Sequence, residues 1–169
     1  DLHVVQVSGA LRLNGQAMPD NTKLYEEDES RGSLVFSRRD TGDTYYLSIG
    51  ASGAAVYATR VFSGTYDVGF NGNNRSYQDV LPDQVIPLDE GLELTGDQAR
   101  SFNLQTVVVS GQVTLNGGVM PNNTKLYEED EPRGSLVFRS RANGDATYVS
   151  VGAQGPAAFE AEIFAGDYS

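Results

Sequence analysis

The chain has 169 residues with 12 basic and 23 acidic side chains, one histidine, and neither cysteine nor tryptophan. A formal charge of -11 excludes a nucleic-acid surface built on clustered Lys and Arg, and the lack of cysteine excludes disulfides, zinc–thiolate sites and thiol catalysis. At 39% hydrophobic and 21% charged residues the sequence is too apolar for disorder, and no apolar run approaches the ~20 residues of a membrane helix.

Period-2 alternation bounded by Gly, Asn, Asp and Pro runs through the chain, which is the signature of strands and turns. Val5-Gln6-Val7 and Leu11-Arg12-Leu13 flank Ser8-Gly9, predicting a long first strand with a glycine kink or bulge. Asn14-Gly15 reads as a turn. Ser33–Phe36 is a short strand, and Thr44–Ile49 follows the Asp40-Thr41-Gly42-Asp43 turn to make a hairpin. A strand over 55–62 and an alternating run over 65–70 come next. Further strands are expected near 77–81, 84–88, 91–95 and 102–109. Gly96 interrupts the alternation of Leu92-Glu93-Leu94, so 92–102 reads as strand and turn rather than helix.

From residue 103 the sequence begins again. Val7-Ser8-Gly9 returns as Val109-Ser110-Gly111, and Leu13-Asn14-Gly15 as Leu115-Asn116-Gly117. At a constant offset of 102, 37 of the 67 positions shared by 1–67 and 103–169 are identical. Residues 1–102 therefore read as a complete repeat and 103–169 as a second copy, incomplete at its C-terminal side, since 68–102 have no counterpart. Two readings account for this: a segment of a longer array, or strands supplied by a neighbouring molecule.

The copies also fix a register. Tyr57, Thr59 and Val61 become Phe159, Ala161 and Ile163, whereas Val56, Ala58 and Arg60 become Ala158, Glu160 and Glu162. Charge enters only the second set, so the first faces the core. Seven or eight short strands per repeat predict an all-β chain of tandem antiparallel β-sandwiches.

Val109-Ser-Gly-x-Val-Thr-Leu-Asn-Gly117 and Phe159-x-Ala-x-Ile-Phe-Ala-Gly-Asp-Tyr168 resemble bacterial cell-surface immunoglobulin-like repeats, of the prealbumin-like, carboxypeptidase-regulatory type. The resemblance implies secreted or surface proteins built as stalks, adhesins or filaments, and no catalytic residues.

Residues 21–36 return as 123–138 with one change, Ser30 to Pro132. Near-identity in a mostly polar block suggests either a contact made once per repeat, through Tyr25, Arg31, Tyr127 and Arg133, or recent duplication with uneven drift. Within it, Glu26, Glu27, Asp28 and Glu29, with Glu128, Glu129, Asp130 and Glu131, are weak calcium candidates. They lack the spaced Asp pattern of a calcium loop and read first as a solvated acidic run. Lys23 and Lys125 are the only lysines, and their polar surroundings favour a surface role over a core crosslink to asparagine. Asn74 and Asn122 head Asn-x-Ser/Thr sequons and are the glycosylation candidates. Asp40, Asp43 and Asp145 read as turn residues, with no neighbour that would make them acid–base catalysts.

No cofactor, metal or enzymatic activity is expected: His3 alone builds neither a histidine site nor a Ser-His-Asp triad. The expected role is a structural subunit of an extracellular filament or surface stalk, its partners other copies of itself joined head to tail. One version has the unfinished module closed by strand complementation, with the run Leu2–Val7 (Leu2, Val4, Val5 and Val7 its apolar members) entering the next molecule near Tyr168. The alternative is a carbohydrate-binding or adhesive module whose exposed aromatic rings touch glycans.

Overall fold

The computed structural model of the chain describes residues 3–23, 29–72, 80–124 and 131–169. Among them there is no helix, and the strands gather into several sheets. The chain forms two compact units, Asp1–Thr106 and Val107–Ser169.

The first unit is an all-β sandwich. Its strands are β1 (Val4–Leu13), β2 (Gln16–Ala17), β3 (Gly32–Arg38), β4 (Thr44–Ile49), β5 (Val56–Phe62), β6 (Gly64–Asn71), β7 (Val85–Leu94), β8 (Gln98–Ala99) and β9 (Phe102–Leu104). One sheet is centred on β1, which is antiparallel to β5 from Val4↔Phe62 to Ala10↔Val56 and turns at Asn14-Gly15 into β2. Its other edge takes β8 and then β9, both parallel to it. The second sheet has the order β4-β3-β6-β7, antiparallel throughout.

Alternation decides which side chains meet inside. Val5, Val7 and Leu11 point inward from β1, Leu34 and Phe36 from β3, Tyr66, Val68 and Phe70 from β6, and Leu92 and Leu94 from β7. The expected register of β5 holds: Tyr57 and Val61 are buried, while Val56, Ala58 and Arg60 are exposed.

Three expectations are corrected. The Ser8-Gly9 position holds no bulge in its pairing with β5, which runs through it without a register shift. Glycine is needed there because the Arg100 carbonyl oxygen lies 1.5 Å from where a Cβ would stand. The strands expected at 84–88 and 91–95 are one strand, β7. Gly91 takes φ 75° at an irregular stretch of the β6–β7 ladder, which lets the chain continue past the mismatch. The strand expected over 102–109 is two, and the first of them, β9, belongs to the first unit. That expected over 77–81 falls mostly outside the described residues, and Val80 and Leu81 are not in a strand.

The second unit contains β10 (Thr106–Gln112, whose first residue closes the first unit), β11 (Thr114–Leu115), β12 (Gly118–Val119), β13 (Gly134–Arg139), β14 (Ala146–Val151) and β15 (Ala158–Phe164). They pair as β10 with β15, β11 with β12 and β13 with β14. Shifted by 102, these pairs reproduce β1–β5, β1–β2 and β3–β4. The bridge Ser140↔Tyr168 reproduces the pairing of Arg38 with Tyr66.

Candidate functional site

The repeated polar block is organised by one side chain in each unit. Arg31 is fully buried. Its Nε donates to the Gly50 carbonyl at 2.6 Å, its Nη1 to those of Met18, Pro19 and Gly53 at 3.1 Å each, and its Nη2 to that of Ser52 at 3.4 Å. Burial lowers the pKa of the guanidinium, and the Asp20 carboxylate 3.9 Å away opposes that shift. Arg133 repeats the arrangement on Gly152, Met120, Pro121, Gly155 and Gln154. Asn21 and Asn123 close the same loops from their Nδ2 atoms onto the carbonyls of Glu29 and Glu131. The planar five-donor fork of arginine suits a site walled by backbone carbonyls. Arg31, expected to reach a partner, donates instead to carbonyls of its own unit's loops.

Val5 and Val7 are likewise placed inside. At 1% and 0% exposure they belong to the core of their own unit, and seven residue pairs tie their strand to β5. The N-terminal run, expected to leave for a neighbouring molecule, is the first strand of the first unit. Among the described apolar members of that run only Val4 is exposed. Leu2, Tyr25 and Tyr127 lie outside the described residues, as do Asn74, Lys125, Glu26, Glu27, Asp28, Glu128, Glu129 and Asp130. Among the described residues no group of three or more His, Cys, Asp or Glu is placed to hold a metal ion. Asn122 is exposed, and its Oδ1 accepts from the Gly155 N–H at 3.0 Å, as Asp20 accepts from Gly53. Asp43 and Asp145 cap their turns, accepting from Thr41 Oγ1 and the Ala146 N–H.

The sharpest difference between the units lies in what their core-facing positions meet. β3 has β4 on one edge and β6 on the other, with Leu34 opposite Phe70 and Phe36 opposite Val68. β13 has β14 on one edge. On its other edge, among the described residues, the chain returns only at Arg139–Arg141, paired with Asp167–Ser169. Val107 is 44% exposed where its counterpart Val5 is 1% exposed. Leu136 and Phe138 are half-buried where Leu34 and Phe36 are wholly buried. Tyr168 bonds as Tyr66 does, donating to the Phe164 carbonyl at 2.7 Å, with its ring edge-on to Phe138. This edge of β13, unpaired among the described residues over Gly134–Phe138, and the half-covered apolar face beside it form the candidate site.

A second feature belongs to the first unit. A cavity of about 340 Å³ opens between Phe36, Tyr45, Phe62 and Tyr66, with Arg38 and Arg60 at its rim. The counterparts of Arg38, Tyr45 and Arg60 are Ser140, Thr147 and Glu162, so its polar rim is not repeated. The cavity carries no local sequence signal, because its walls come from five strands, β1, β3, β4, β5 and β6.

No family model matches the sequence, and no curated protein matches it. Two solved structures are similar. One is a DUF3823 family protein from Parabacteroides merdae, at 10% identity and TM-score 0.42 over 97% of this chain and 82% of that one. The other is a leucine-rich repeat protein from Bacteroides thetaiotaomicron, at 13% identity and TM-score 0.32 over 97% of this chain and 21% of that one.

Proposed function

We propose that the chain is a structural segment of an extracellular filament or surface stalk, made of immunoglobulin-like sandwich modules in series, and that the open edge of β13 accepts a strand of the β6 type. The observation that carries this reading is the contrast at matched positions, Val5 buried and Val107 exposed, with Leu136 and Phe138 half-covered. The first unit supplies the pattern of the occupant: inward Val68 and Phe70, alternating with smaller or polar residues, the place of Tyr66 being already held by Tyr168. Backbone bonds along β13 would provide affinity and the alternate side chains would provide fit. Covering one such apolar side chain contributes about 1.5 kcal/mol. A formal charge of -11 disfavours indiscriminate bundling of such fibres.

The test is electron microscopy of the purified chain at neutral pH, together with hydrogen exchange at Gly134–Phe138. Ordered fibres, with exchange at that edge slowed relative to dilute monomer, support the proposal. A monodisperse chain whose edge amides exchange at one rate at every concentration, and also after a copy of residues 68–102 is appended, would sink it.

A carbohydrate-binding or adhesive reading draws on one observation: Tyr46 and Tyr148, at matched positions, are 61% and 64% exposed, and Tyr45 and Phe62 border the first unit's cavity. Binding on a glycan array that is lost in Tyr46→Ala favours that reading over the first.

A further inference from the structure

The chain contains four Asn-Gly pairs, at Asn14, Asn71, Asn116 and Asn143. Such pairs are where a polypeptide can modify itself, because glycine offers no side chain to hinder its own backbone nitrogen. The nitrogen attacks the asparagine Cγ, a C–N bond forms, and the Cγ–Nδ2 bond breaks. Ammonia leaves carrying the proton that the glycine nitrogen gives up. Water then opens the five-membered imide at either carbonyl, leaving aspartate or isoaspartate. A hydrogen bond on the glycine N–H, or on the asparagine amide, holds the reacting groups away from this geometry.

Three of the four pairs are held. Gly15 N–H donates to Asn103 Oδ1 at 2.7 Å, Gly72 N–H to the Gln84 carbonyl at 2.9 Å, and Gly144 N–H to the Ser140 carbonyl at 2.9 Å. Asn14 is fastened further: its Nδ2 donates to Thr106 Oγ1 and its Oδ1 accepts from the Thr106 N–H, each at 2.9 Å. Asn116-Gly117 is the same turn in the second unit, with φ 51° and 78° against 52° and 79° at Asn14-Gly15. It is equally exposed, yet among the described residues neither the Asn116 side chain nor the Gly117 N–H has a hydrogen bond. No atom lies within 4 Å of where a Cβ would stand at either Gly15 or Gly117, so the two turns differ in their hydrogen bonds and not in steric room. Its hairpin is held by two residue pairs, Thr114↔Val119 and Leu115↔Gly118, whereas the first unit's turn is also buttressed by β9.

We infer that Asn116 is the chain's site of spontaneous deamidation and isoaspartate formation, and that Asn14 is protected by Asn103 and Thr106. Resting additionally on the strand-acceptor reading, a segment like 103–106 docked on the second unit would switch the reaction off.

The experiment is incubation of the purified chain at pH 7.4 and 37 °C, followed by peptide mapping with a fragmentation method that separates isoaspartate from aspartate. Asn116 is expected to convert at least about tenfold faster than Asn14, the equivalent of about 1.4 kcal/mol. In denaturant, where no structure protects any site, the four rates should converge. Asn103→Ala should raise the Asn14 rate toward that of Asn116 while far-UV circular dichroism stays native. Should that variant unfold, Thr106→Val, which removes only the hydroxyl acceptor, is read in its place. Equal rates at Asn14 and Asn116 in the native chain overturn the inference, as does faster conversion at Asn143. Appending a copy of residues 68–106 tests the second step alone: undiminished conversion at Asn116 would remove the link to completion and leave the site itself standing.

Discussion

The Tyr57 hydroxyl donates to the Arg100 carbonyl at 2.6 Å, fastening β5 to the crossing between β8 and β9. Burial pushes the Tyr57 pKa from 10.0 up to about 12, with the nearby Arg100 charge opposing. The folded value lies above the unfolded one, so the neutral phenol's contribution is full below pH 10 and is lost as pH rises toward 12. The loss is at most about 2.7 kcal/mol. Tyr57→Phe should cost about 1 kcal/mol at neutral pH by leaving the carbonyl unpaired. It should also flatten the alkaline limb of stability against pH, measured by urea unfolding from pH 8 to 12. An unchanged alkaline limb would refute this assignment. Phe159 already occupies the equivalent position in the second unit.

The same carbonyl makes Gly9 irreplaceable. A Cβ there would stand 1.5 Å from the Arg100 oxygen, a backbone atom that cannot move aside without breaking Arg100 N–H···O=C Ser8 at 2.7 Å. Gly9→Ala should destabilise the first unit by about 3 kcal/mol. Gly111→Ala should cost less, because what it meets, at 2.9 Å, is the tip of the Phe159 ring. Gly96→Ala, in open space, should stay within about 0.5 kcal/mol. Thermal unfolding of the three variants orders them, and equal melting temperatures for the Gly9 and Gly96 variants would contradict the crossing.

Arg31 and Arg133 offer a matched pair at different burial. Arg31→Met removes a fully buried guanidinium, leaves several carbonyls without donors and should cost about 3 kcal/mol. Arg31→Lys should recover little, because an ammonium cannot span carbonyls on both sides of the fork. Arg133→Met should cost less than half as much, since Arg133 is half-buried and water can reach the freed carbonyls. Hydrogen exchange in residues 50–53 and 152–155 reports each loss in its own loop. A larger effect at Arg133 would reverse the account.

What could be read from the sequence divides along the range of the interactions. The inward set Tyr57, Thr59 and Val61 is legible because, between the two copies of one strand, charge enters only at the alternate positions. The turns at Asn14 and Asn116 were legible because the left-handed conformation favours Asn-Gly. The role of Arg31 was not legible, because its partners are backbone carbonyls, which carry no sequence signal. The placement of Val5 and Val7 was misjudged for a related reason. An alternating run looks the same whether it pairs with its own β5 or with a neighbour's strand. The continuity of β7 was hidden because it rests on Gly91 and on a carboxylate from the adjacent strand.

That carboxylate is Asp67, and it yields the last expectation. Its Oδ1 accepts from Arg39 Nε at 2.8 Å and from the Gly91 N–H at 2.9 Å, joining the turn after β3 to the irregular stretch of β7. The Arg39 hydrogen bond, then the Gly91 bond, hold the Asp67 pKa below its ordinary 3.8. A lowered folded pKa gives a contribution that is present above the unfolded value and disappears as pH falls through the folded one. Asp67→Asn can still accept from Gly91 but no longer pairs with a cation, so it should lower stability modestly above about pH 4, flatten the acid limb, and converge with the parent as pH falls further. Raising salt should reduce the Arg39 part and spare the Gly91 part, because screening acts on the exposed ion pair rather than on the backbone bond. Urea midpoints for both chains at pH 2 to 6, in low and high salt, decide it. If the Asn variant tracks the parent's acid limb throughout, the Arg39–Asp67 pair does not anchor β7, and the continuity of that strand must rest on Gly91 alone.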